Sequence, residues 1–173
     1  MIPVISFIGW HNSGKTTLAS KVVTHLKERG YRVAVIKATK ETGIPFDTPN
    51  TDTARHRQAG ADTVLLVAPD QMAMTSVRPE KPLSLLEIAR RYCFDVDIVI
   101  GEGFKGAEGV PKIEVRREEE QPLLCRQVSG VVAVATDLAF PDDPGLALFR
   151  LDQGEEIAAF IVDYFHLDHT QTD

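Results

Sequence analysis

Cysteine is scarce in this chain of 173 residues: only Cys93 and Cys125 occur, and they do not form a C-x-x-C pair. A zinc site or a redox dithiol is therefore not indicated, and two buried free thiols in a reducing cytoplasm are the expectation. Cationic residues are also in the minority: the chain has 19 Lys and Arg against 25 Asp and Glu, which gives a net charge of -6. This balance argues against a broad surface for nucleic acid or for an anionic membrane, since both require clustered cations.

Long apolar runs are absent too, and no stretch reaches the roughly 20 residues that a membrane-spanning helix needs. The apolar N-terminal segment lacks a basic region and leads into a Gly-rich loop, which indicates a strand and not a signal peptide. With 43% hydrophobic and 25% charged residues, the composition is typical of a globular protein. The length suits one core, so a single domain over residues 1–173, located in the cytoplasm, is predicted.

The apolar patterns that are present predict an α/β fold. A buried strand at residues 4–8 leads through a Gly-rich turn into a helix that starts at Lys15 and ends at Gly30, and the next strand covers residues 33–36. This βαβ order implies parallel strands joined by helical crossovers. The other predicted strands are residues 63–67, 72–77, 96–102, 113–116 and 131–135, and the other predicted helices are residues 52–59, 85–92 and about 157–165.

Residues 9–16, with the sequence GWHNSGKT, satisfy the Walker A pattern G-x-x-x-x-G-K-[ST] between the first predicted strand and helix. Gly9 and Gly14 allow the backbone to wrap a phosphate with its N–H groups turned inward, ahead of the positive end of a helix. Three further loop residues border the bound phosphates: His11, Asn12 and Ser13. The His11 side chain suits a phosphate contact and a solvent-facing position equally well.

The start of the predicted helix completes the phosphate site. Lys15 supplies a compact cation for the β- and γ-phosphates of a purine nucleoside triphosphate, the Thr16 hydroxyl is the expected Mg²⁺ ligand, and Thr17 is placed for the α-phosphate. Magnesium needs an acidic anchor, and Glu102 ends an apolar strand at the edge where α/β sheets bind ligands, whereas Asp97 begins that strand. Lys15 and Glu102 are therefore the candidate catalytic residues, and Thr16 and Glu102 the candidate metal ligands.

Several polar residues outside the Walker A loop have more than one interpretation. Asp47 and Asp52, in or beside the long loop after the second strand, suit either sensors of the γ-phosphate or turn and helix-cap positions. Arg55 is either a phosphate ligand or part of a solvated basic face, and Lys105, just past the acidic anchor, is a stronger phosphate candidate. Asp137 follows a strand and suits the N1 and N2 positions of guanine, although the usual guanine signature N/T-K-x-D is absent.

The Walker A motif and the order of elements together predict a three-layer P-loop NTPase fold, which is α/β and Rossmann-like. The sheet should be mostly parallel, with added antiparallel β elements. We expect these additions as β-hairpins around residues 62–78 and 111–128.

Four stretches carry a resemblance to a known family. They are residues 5–18 (ISFIGWHNSGKTTL), 35–37 (VIK), 52–61 (DTARHRQAGA) and 97–105 (DIVIGEGFK). They resemble the MobB family of molybdopterin-guanine dinucleotide biosynthesis adaptor proteins, which are P-loop GTPase-like. The Walker A loop occurs in many families, whereas the pair of D-[ST]-x-R-x-x-x-A-G-A and E-G-F-K is much more specific.

The resemblance implies GTP and Mg²⁺ binding, slow GTP hydrolysis, and a homodimer formed through the added β elements. It also implies a MobA-type guanylyltransferase as partner, the enzyme that joins GMP to molybdopterin, with molybdopterin itself as a further candidate ligand. The positions that match the family's phosphate and magnesium residues are Gly14, Lys15, Thr16 and Thr17, with Glu102 as the Walker B acid and Arg55 and Lys105 as further motif positions. Two stretches depart from the family pattern: ATK at residues 38–40 replaces a His-rich segment, and PNTD at residues 49–52 replaces P-G-K-D.

Two other functions remain open at the level of sequence. One is a P-loop kinase or ligase that acts on a small metabolite with ATP or GTP, and the other is a nucleotide-sensing module without chemistry. A fast catalyst requires a positioned base and an acceptor pocket, and the sequence offers no compelling base outside the loop at residues 38–52. The expected function is therefore a GTP-binding adaptor with weak GTPase activity.

Overall fold

The computed structural model describes residues 2–45, 47–140 and 145–167. In chain order the strands are β1 (Val4–Ile8), β2 (Val33–Lys37), β3 (Thr63–Val67), β4 (Met72–Ser76), β5 (Ile98–Glu102), β6 (Lys112–Arg116), β7 (Val131–Thr136) and β8 (Ala147–Phe149). The helices are α1 (Lys15–Glu28), α2 (Asp52–Gln58), α3 (Leu85–Tyr92) and α4 (Gly154–Phe165), with a 3₁₀ turn at Leu124–Arg126. The chain forms two compact units, one of residues 1–39 and 84–173 and the other of residues 40–83.

The first unit is built on a six-stranded sheet in the order β2-β5-β1-β6-β7-β8. Every neighbouring pair is parallel, which confirms the predicted parallel sheet. In the register of this sheet Glu102 at the end of β5 lies beside Phe7 of β1 and beside Lys37 of β2. The carboxyl ends of these strands therefore meet at one edge, around the exit of the central strand β1.

Helices cover both faces of the sheet, as a three-layer fold requires. The helices α1 and α4 pack over the face that carries Ile5 and Phe7, whereas α3 packs over the face that carries Val4 and Val99. All five residues of β1 are buried, which explains why the strand is almost continuously apolar. The predicted α/β fold is confirmed.

The ends of α1 and α3 follow from local sequence. Gly14 is the N-cap of α1 with a left-handed φ of 89°, and Gly30 after its last turn has φ 88°. Ser84 and Glu87 form the predicted capping box of α3, because the Ser84 hydroxyl accepts from the Glu87 N–H and the Glu87 carboxylate accepts from the Ser84 N–H. The helix bounds predicted at residues 85–92 are confirmed.

The hairpin expected around residues 111–128 is wrong. Strand β6 lies in the interior of the sheet, parallel to β1 on one side and to β7 on the other. Its alternation of Lys112, Glu114 and Arg116 is typical of a half-exposed strand, yet all three side chains are buried, at 1%, 1% and 6% exposure. Backbone groups form hydrogen bonds with all three side chains, so this alternation of polar residues lies within a buried strand.

Backbone groups surround the polar side chains of β6. The Lys112 ammonium donates to three carbonyl oxygens at 2.6–3.0 Å, those of Ala107, Val110 and Ser129. The Glu114 carboxylate accepts from the N–H groups of Leu124 and Cys125 at 2.8 and 2.7 Å, at the start of the 3₁₀ turn. Buried charges of this kind are tolerated when hydrogen bonds replace their hydration.

The second unit contains α2 and the two-stranded sheet of β3 and β4. These strands pair antiparallel, from Thr63 opposite Ser76 to Val67 opposite Met72, which confirms the hairpin predicted around residues 62–78. The Thr51 hydroxyl accepts from the Ala54 N–H and caps α2. Six apolar side chains of this unit are 47–66% exposed: Leu65, Leu66, Val67, Met72, Met74 and Val77.

Two further features bear on the sequence predictions. Cys93 and Cys125 are free, as expected, but half-buried and not fully buried, and burial raises the pKa of both thiols. No helix within residues 2–45, 47–140 and 145–167 has the length and apolar character of a membrane span.

Candidate nucleotide site

The Walker A loop forms a tight turn between β1 and α1. A Cβ atom on Gly9 would lie 2.4 Å from both the Ser13 hydroxyl oxygen and the Val115 carbonyl oxygen, so only glycine fits. The Ser13 N–H donates back to the Trp10 carbonyl at 3.3 Å, and Asn12 adopts a left-handed φ of 58°. The loop therefore has the curled backbone that the Walker A pattern predicts.

Lys15 folds back over this loop. Its ammonium donates to the Trp10 carbonyl at 2.5 Å and to the Ser13 hydroxyl at 3.4 Å. Burial lowers the pKa of Lys15, the nearby Glu102 carboxylate opposes this, and the ammonium groups of Lys37 and Lys105 lower it further. A cation that is partly desolvated beside other cations gains from an incoming anion, which favours binding of phosphate.

Thr16 and Glu102, the two candidate metal ligands, meet at the carboxyl edge of the sheet. The Thr16 hydroxyl donates to Glu102 Oε1 at 2.6 Å. Lys37 Nζ lies 3.2 Å from the same carboxylate oxygen and 3.3 Å from the Thr16 hydroxyl oxygen. Glu102 is only 7% exposed, and it ends β5 beside β1, where the sequence predicted the acidic residue to lie.

The donor set of this edge fits magnesium. A hydroxyl and a carboxylate offer the hard oxygen ligands that Mg²⁺ prefers, and the ion usually takes its remaining ligands from phosphate and water. Within the described ranges of the chain, no group of three or more His, Cys, Asp and Glu is arranged to hold a metal alone. The hydroxyl and carboxylate of this edge are suited to a magnesium ion that arrives with phosphates.

Trp10 and Lys105 border the loop on its outer side. The Lys105 ammonium lies 4.0 Å from the centre of the Trp10 ring, close enough for a cation–π contact. The Trp10 indole N–H donates to the Pro122 carbonyl at 2.9 Å. The structure thus brings Lys105 to the Walker A loop, as the sequence led us to expect.

Two cations near the loop were missed by the sequence analysis as site residues. Lys37 ends β2 and reaches the Thr16 and Glu102 pair, a position that depends on β2 pairing with β5. The Arg117 guanidinium follows β6 and lies 3.0 Å from the position that a Cβ on Gly14 would take. No pattern in the sequence indicated Arg117, because its closeness to the loop depends on β6 pairing with β1.

The other predicted site residues lie on the surface of the loop and of α1, or beyond β6. His11, Asn12 and Thr17 are exposed on the loop or on the first turn of α1. Asp137 follows β7, which β6 separates from β1, and its Oδ1 accepts from the Leu151 N–H at 3.0 Å. One oxygen of the Asp137 carboxylate is therefore bonded to the backbone after β8. The role of Asp137 toward guanine stays a prediction.

The remaining acidic and basic candidates have local partners. Asp97 lies at the amino end of β5, where its carboxylate accepts from the backbone N–H and the guanidinium of Arg32 at 2.7 and 2.8 Å. In the second unit Arg55 lies 3.7 Å from Asp52, one turn earlier on α2. Asp47 accepts from the Thr51 hydroxyl at 2.9 Å, a bond of the turn before α2.

Comparison with known proteins agrees with this geometry. Residues 4–137 match the family described as "Molybdopterin guanine dinucleotide synthesis protein B", or MobB. The chain belongs to the MobB family. Relatives of this MobB chain include a Haemophilus influenzae protein named "Molybdopterin-guanine dinucleotide biosynthesis adapter protein", 34% identical over 97% of this chain and 92% of the relative. The Escherichia coli protein of the same name is 33% identical over 95% of this chain and 94% of its own length.

Solved MobB structures share the fold. A crystal structure described as molybdopterin-guanine biosynthesis protein B is 32% identical and superposes with a TM-score of 0.72, covering 93% of this chain and 99% of the other. The Bacillus subtilis MobB structure gives a TM-score of 0.74 over 94% of this chain and 97% of the other, and its 24% identity speaks for the fold alone.

Proposed function

We propose that this MobB-family chain is a cytoplasmic adapter of molybdopterin guanine dinucleotide biosynthesis that binds GTP with Mg²⁺ at residues 9–17 and hydrolyses it slowly. The observation that carries the proposal is the hydrogen bond of 2.6 Å between Thr16 and Glu102 at the mouth of the Walker A loop. It joins the two oxygen ligands that a magnesium-bound triphosphate requires. The names of the relatives support the biosynthetic role.

The charges around the loop support a polyanionic ligand. The ammonium groups of Lys37 and Lys105 are close enough to lower the pKa of Lys15, and Glu102 is the acid beside Lys15 and Lys37. In the proposed complex the loop N–H groups and Lys15 bind the β- and γ-phosphates, Thr17 binds the α-phosphate, and Thr16 and Glu102 hold the metal. Held there, Mg²⁺ would supply positive charge that neutralises the phosphates.

Slow hydrolysis follows from the way the acid is engaged. The Glu102 carboxylate is nearly buried and is bonded to Thr16 and Lys37, so it is committed to holding charge and not to activating water. General-base catalysis contributes about 10²–10⁴-fold when a base is positioned on the nucleophile. A site that binds triphosphate without such a base suits an adapter better than a kinase or ligase.

The second unit supports the assembly part of the proposal. A two-stranded sheet is marginally stable in water by itself, and β3, β4 and the residue after β4 together expose six large apolar side chains. We assign this surface to the homodimer contact. The proposed further partner is the guanylyltransferase that transfers GMP to molybdopterin, and molybdopterin is a candidate ligand of the resulting complex.

Calorimetry with Mg-GTP, Mg-ATP and the corresponding diphosphates tests the nucleotide site. We expect Mg-GTP to bind more tightly than Mg-ATP, and Lys15→Ala to weaken Mg-GTP binding by at least tenfold, because one charge-assisted contact contributes about 1.5–3 kcal/mol. Binding of Mg-GTP by Lys15→Ala as tightly as by the parent chain would refute the site.

Single-turnover hydrolysis separates the proposed adapter from the two other functions. With γ-labelled GTP, we expect slow release of phosphate and no transfer of the label to candidate acceptors, with Lys15→Ala as the inactive control. Transfer to an acceptor would instead identify a kinase or ligase, and absence of any hydrolysis a sensing module. Addition of the guanylyltransferase should raise the yield of molybdopterin guanine dinucleotide, and no rise would count against the adapter role.

A further inference from the structure

Arg117 lies against the Walker A loop from a side that the motif does not define. Its Nε, Cζ and Nη2 atoms lie 3.0, 3.3 and 3.3 Å from the position that a Cβ on Gly14 would take, so the guanidinium covers this glycine. The side chain is exposed. Among residues 2–45, 47–140 and 145–167, no carboxylate pairs with Arg117 and no oxygen accepts a hydrogen bond from it.

The segment that starts with Arg117 is attached to the loop at both of its ends. Residues 117–122, which we call the flanking segment, run from the Gly14 contact to Pro122, whose carbonyl accepts from the Trp10 indole. Within the segment the Gln121 amide donates to the Glu118 carboxylate at 2.5 Å. The pairing of β6 with β1 thus places Arg117 beside the loop, and the Trp10–Pro122 hydrogen bond joins the far end of the flanking segment to it.

The strand order tells which part of a nucleotide meets Arg117. Thr16, Glu102 and Lys37 lie on the side of β1 where β5 and β2 are found, and this is the proposed magnesium and γ-phosphate side. Arg117 follows β6, the neighbour of β1 on the opposite side. A triphosphate whose terminal phosphate points toward Glu102 therefore leaves the loop with its nucleoside on the β6 side.

We propose that Arg117 binds the nucleoside half of the nucleotide, with its guanidinium plane stacked on the purine base. The inference rests on the proposed nucleotide function of the loop. A guanidinium is planar, weakly hydrated and suited to stacking on π systems, which a lysine ammonium is not. The Arg117 side chain is exposed and its guanidinium lies beside Gly14 at the start of α1. It can therefore stack on a base without breaking an ion pair among the described residues.

The test compares ligands that have and lack a nucleoside. Titrations of the full chain with Mg-GTP, Mg-GDP and magnesium tripolyphosphate are made with the parent and with Arg117→Ala and Arg117→Lys. We expect both variants to weaken Mg-GTP and Mg-GDP by about 5- to 30-fold, the range of a stacked cation, and tripolyphosphate by less than about twofold. Arg90→Ala, which removes an exposed arginine from the last turn of α3, is the matched control and should change none of the three.

Each other outcome overturns the inference in a recognisable way. Unchanged Mg-GTP binding by Arg117→Ala removes any role, while an equal loss for tripolyphosphate, or full rescue by Arg117→Lys, would assign Arg117 to the phosphates. If tripolyphosphate does not bind the parent chain, the Mg-GTP affinity of Arg117→Lys decides between base and phosphate. An affinity as low as that of Arg117→Ala supports stacking on the base, and parent-like affinity assigns Arg117 to the phosphates. Lys15→Ala should weaken the binding of all three ligands. A parent chain that binds none of them refutes the proposed function. Intact binding by the parent together with unaffected Arg117 variants refutes only this inference.

Discussion

The Thr16 hydroxyl donates a hydrogen bond of 2.6 Å to the carboxylate of Glu102, 86 residues later in the chain. The contact arises because β1 and β5 are parallel neighbours in register, so the residue that ends β5 faces the first turn of the helix that follows β1. The fold itself thus brings together two oxygen groups that suit a magnesium ion.

Glu102→Gln should uncouple nucleotide binding from magnesium. The amide keeps the size and a hydrogen-bonding oxygen but removes the charge that attracts the cation, so Mg-GTP affinity should fall by about 10- to 100-fold, equivalent to about 1.5–3 kcal/mol. GTP affinity measured in EDTA should change by less than threefold, roughly, because the phosphates still bind the loop and Lys15. Equal losses of GTP affinity with and without magnesium would contradict the assignment of Glu102 as a metal ligand. The control is Glu108→Gln, which changes an exposed acid of the loop before β6.

Lys37→Met should weaken GTP binding more without magnesium than with it, which is the opposite of the effect of Glu102→Gln. The Lys37 ammonium lies within 3.3 Å of both candidate metal ligands, so it supplies positive charge where the metal is expected. Removing it should weaken GTP binding in EDTA by about 5- to 10-fold, while binding at saturating magnesium should change less than about twofold. Calorimetry under the two conditions measures this difference, and a larger loss with magnesium than without it would refute the idea.

Lys112→Met should destabilise the fold strongly although the new side chain is apolar and of similar length. Three carbonyl oxygens would lose their donor in a site where Lys112 is only 1% exposed. A buried acceptor left without a donor typically costs about 1–3 kcal/mol, so three of them predict a loss of about 3–5 kcal/mol in the free energy of unfolding. Urea unfolding checks this against Lys27→Met, an exposed lysine in the last turn of α1, and a loss below about 1 kcal/mol would show that the ammonium is dispensable.

Asp97 makes the first unit sensitive to acid. Its hydrogen bonds from Arg32 hold the pKa of the Asp97 carboxyl below its usual value of 3.8. A lowered pKa means that the folded state binds this proton less readily than the unfolded state, so the stabilisation is present above pH 3.8 and is lost as the pH falls through the folded value. Asp97→Asn should therefore cost about 1 kcal/mol at pH 7 and less at pH 3, measured by urea unfolding at both pH values. A cost that does not shrink at pH 3 would contradict this linkage.

Substitutions in β3 and β4 should dissociate the proposed dimer. Val67→Glu and Met72→Glu place charges at opposite positions of the pair, where the parent side chains are 66% and 60% exposed. Because these positions already face solvent in the isolated chain, the fold should change in stability by no more than about 1 kcal/mol, while the apparent mass in sedimentation should fall by half. Phe94→Glu, at an exposed apolar residue of the first unit, is the control and should leave the mass unchanged.

Much of the fold and the core of the candidate site could be predicted from the sequence because their signals are local. The buried strand before Gly9, the capping box of Ser84 and Glu87, and the acid at the end of β5 each depend on neighbours in the chain. Lys37 and Arg117 could not be assigned this way, since their closeness to the loop follows from which strands pair. The hairpin expected around residues 111–128 failed for a related reason, because β6 pairs with β1 and β7 and not with the residues that directly follow it.

Strand β8 was missed because three residues are too few for a periodic pattern to be recognised. The predicted end of β7 and the placement of Asp137 after it agree with the structure, yet the bond from the Leu151 N–H to Asp137 was unforeseeable from sequence spacing. Tertiary contacts of this kind decide whether a carboxylate stays available to a ligand.

Trp10 is the single tryptophan of the chain, and it lies within the Walker A loop, beneath Lys105 and bonded to Pro122. Its indole emission therefore reports on one place only, with no background from other tryptophans. Movement of the ammonium or of the flanking segment changes the polarity and quenching around the ring, so loop occupancy can be followed optically in the unlabelled protein. Kinetic traces of ligand arrival and departure thereby become accessible by stopped-flow mixing.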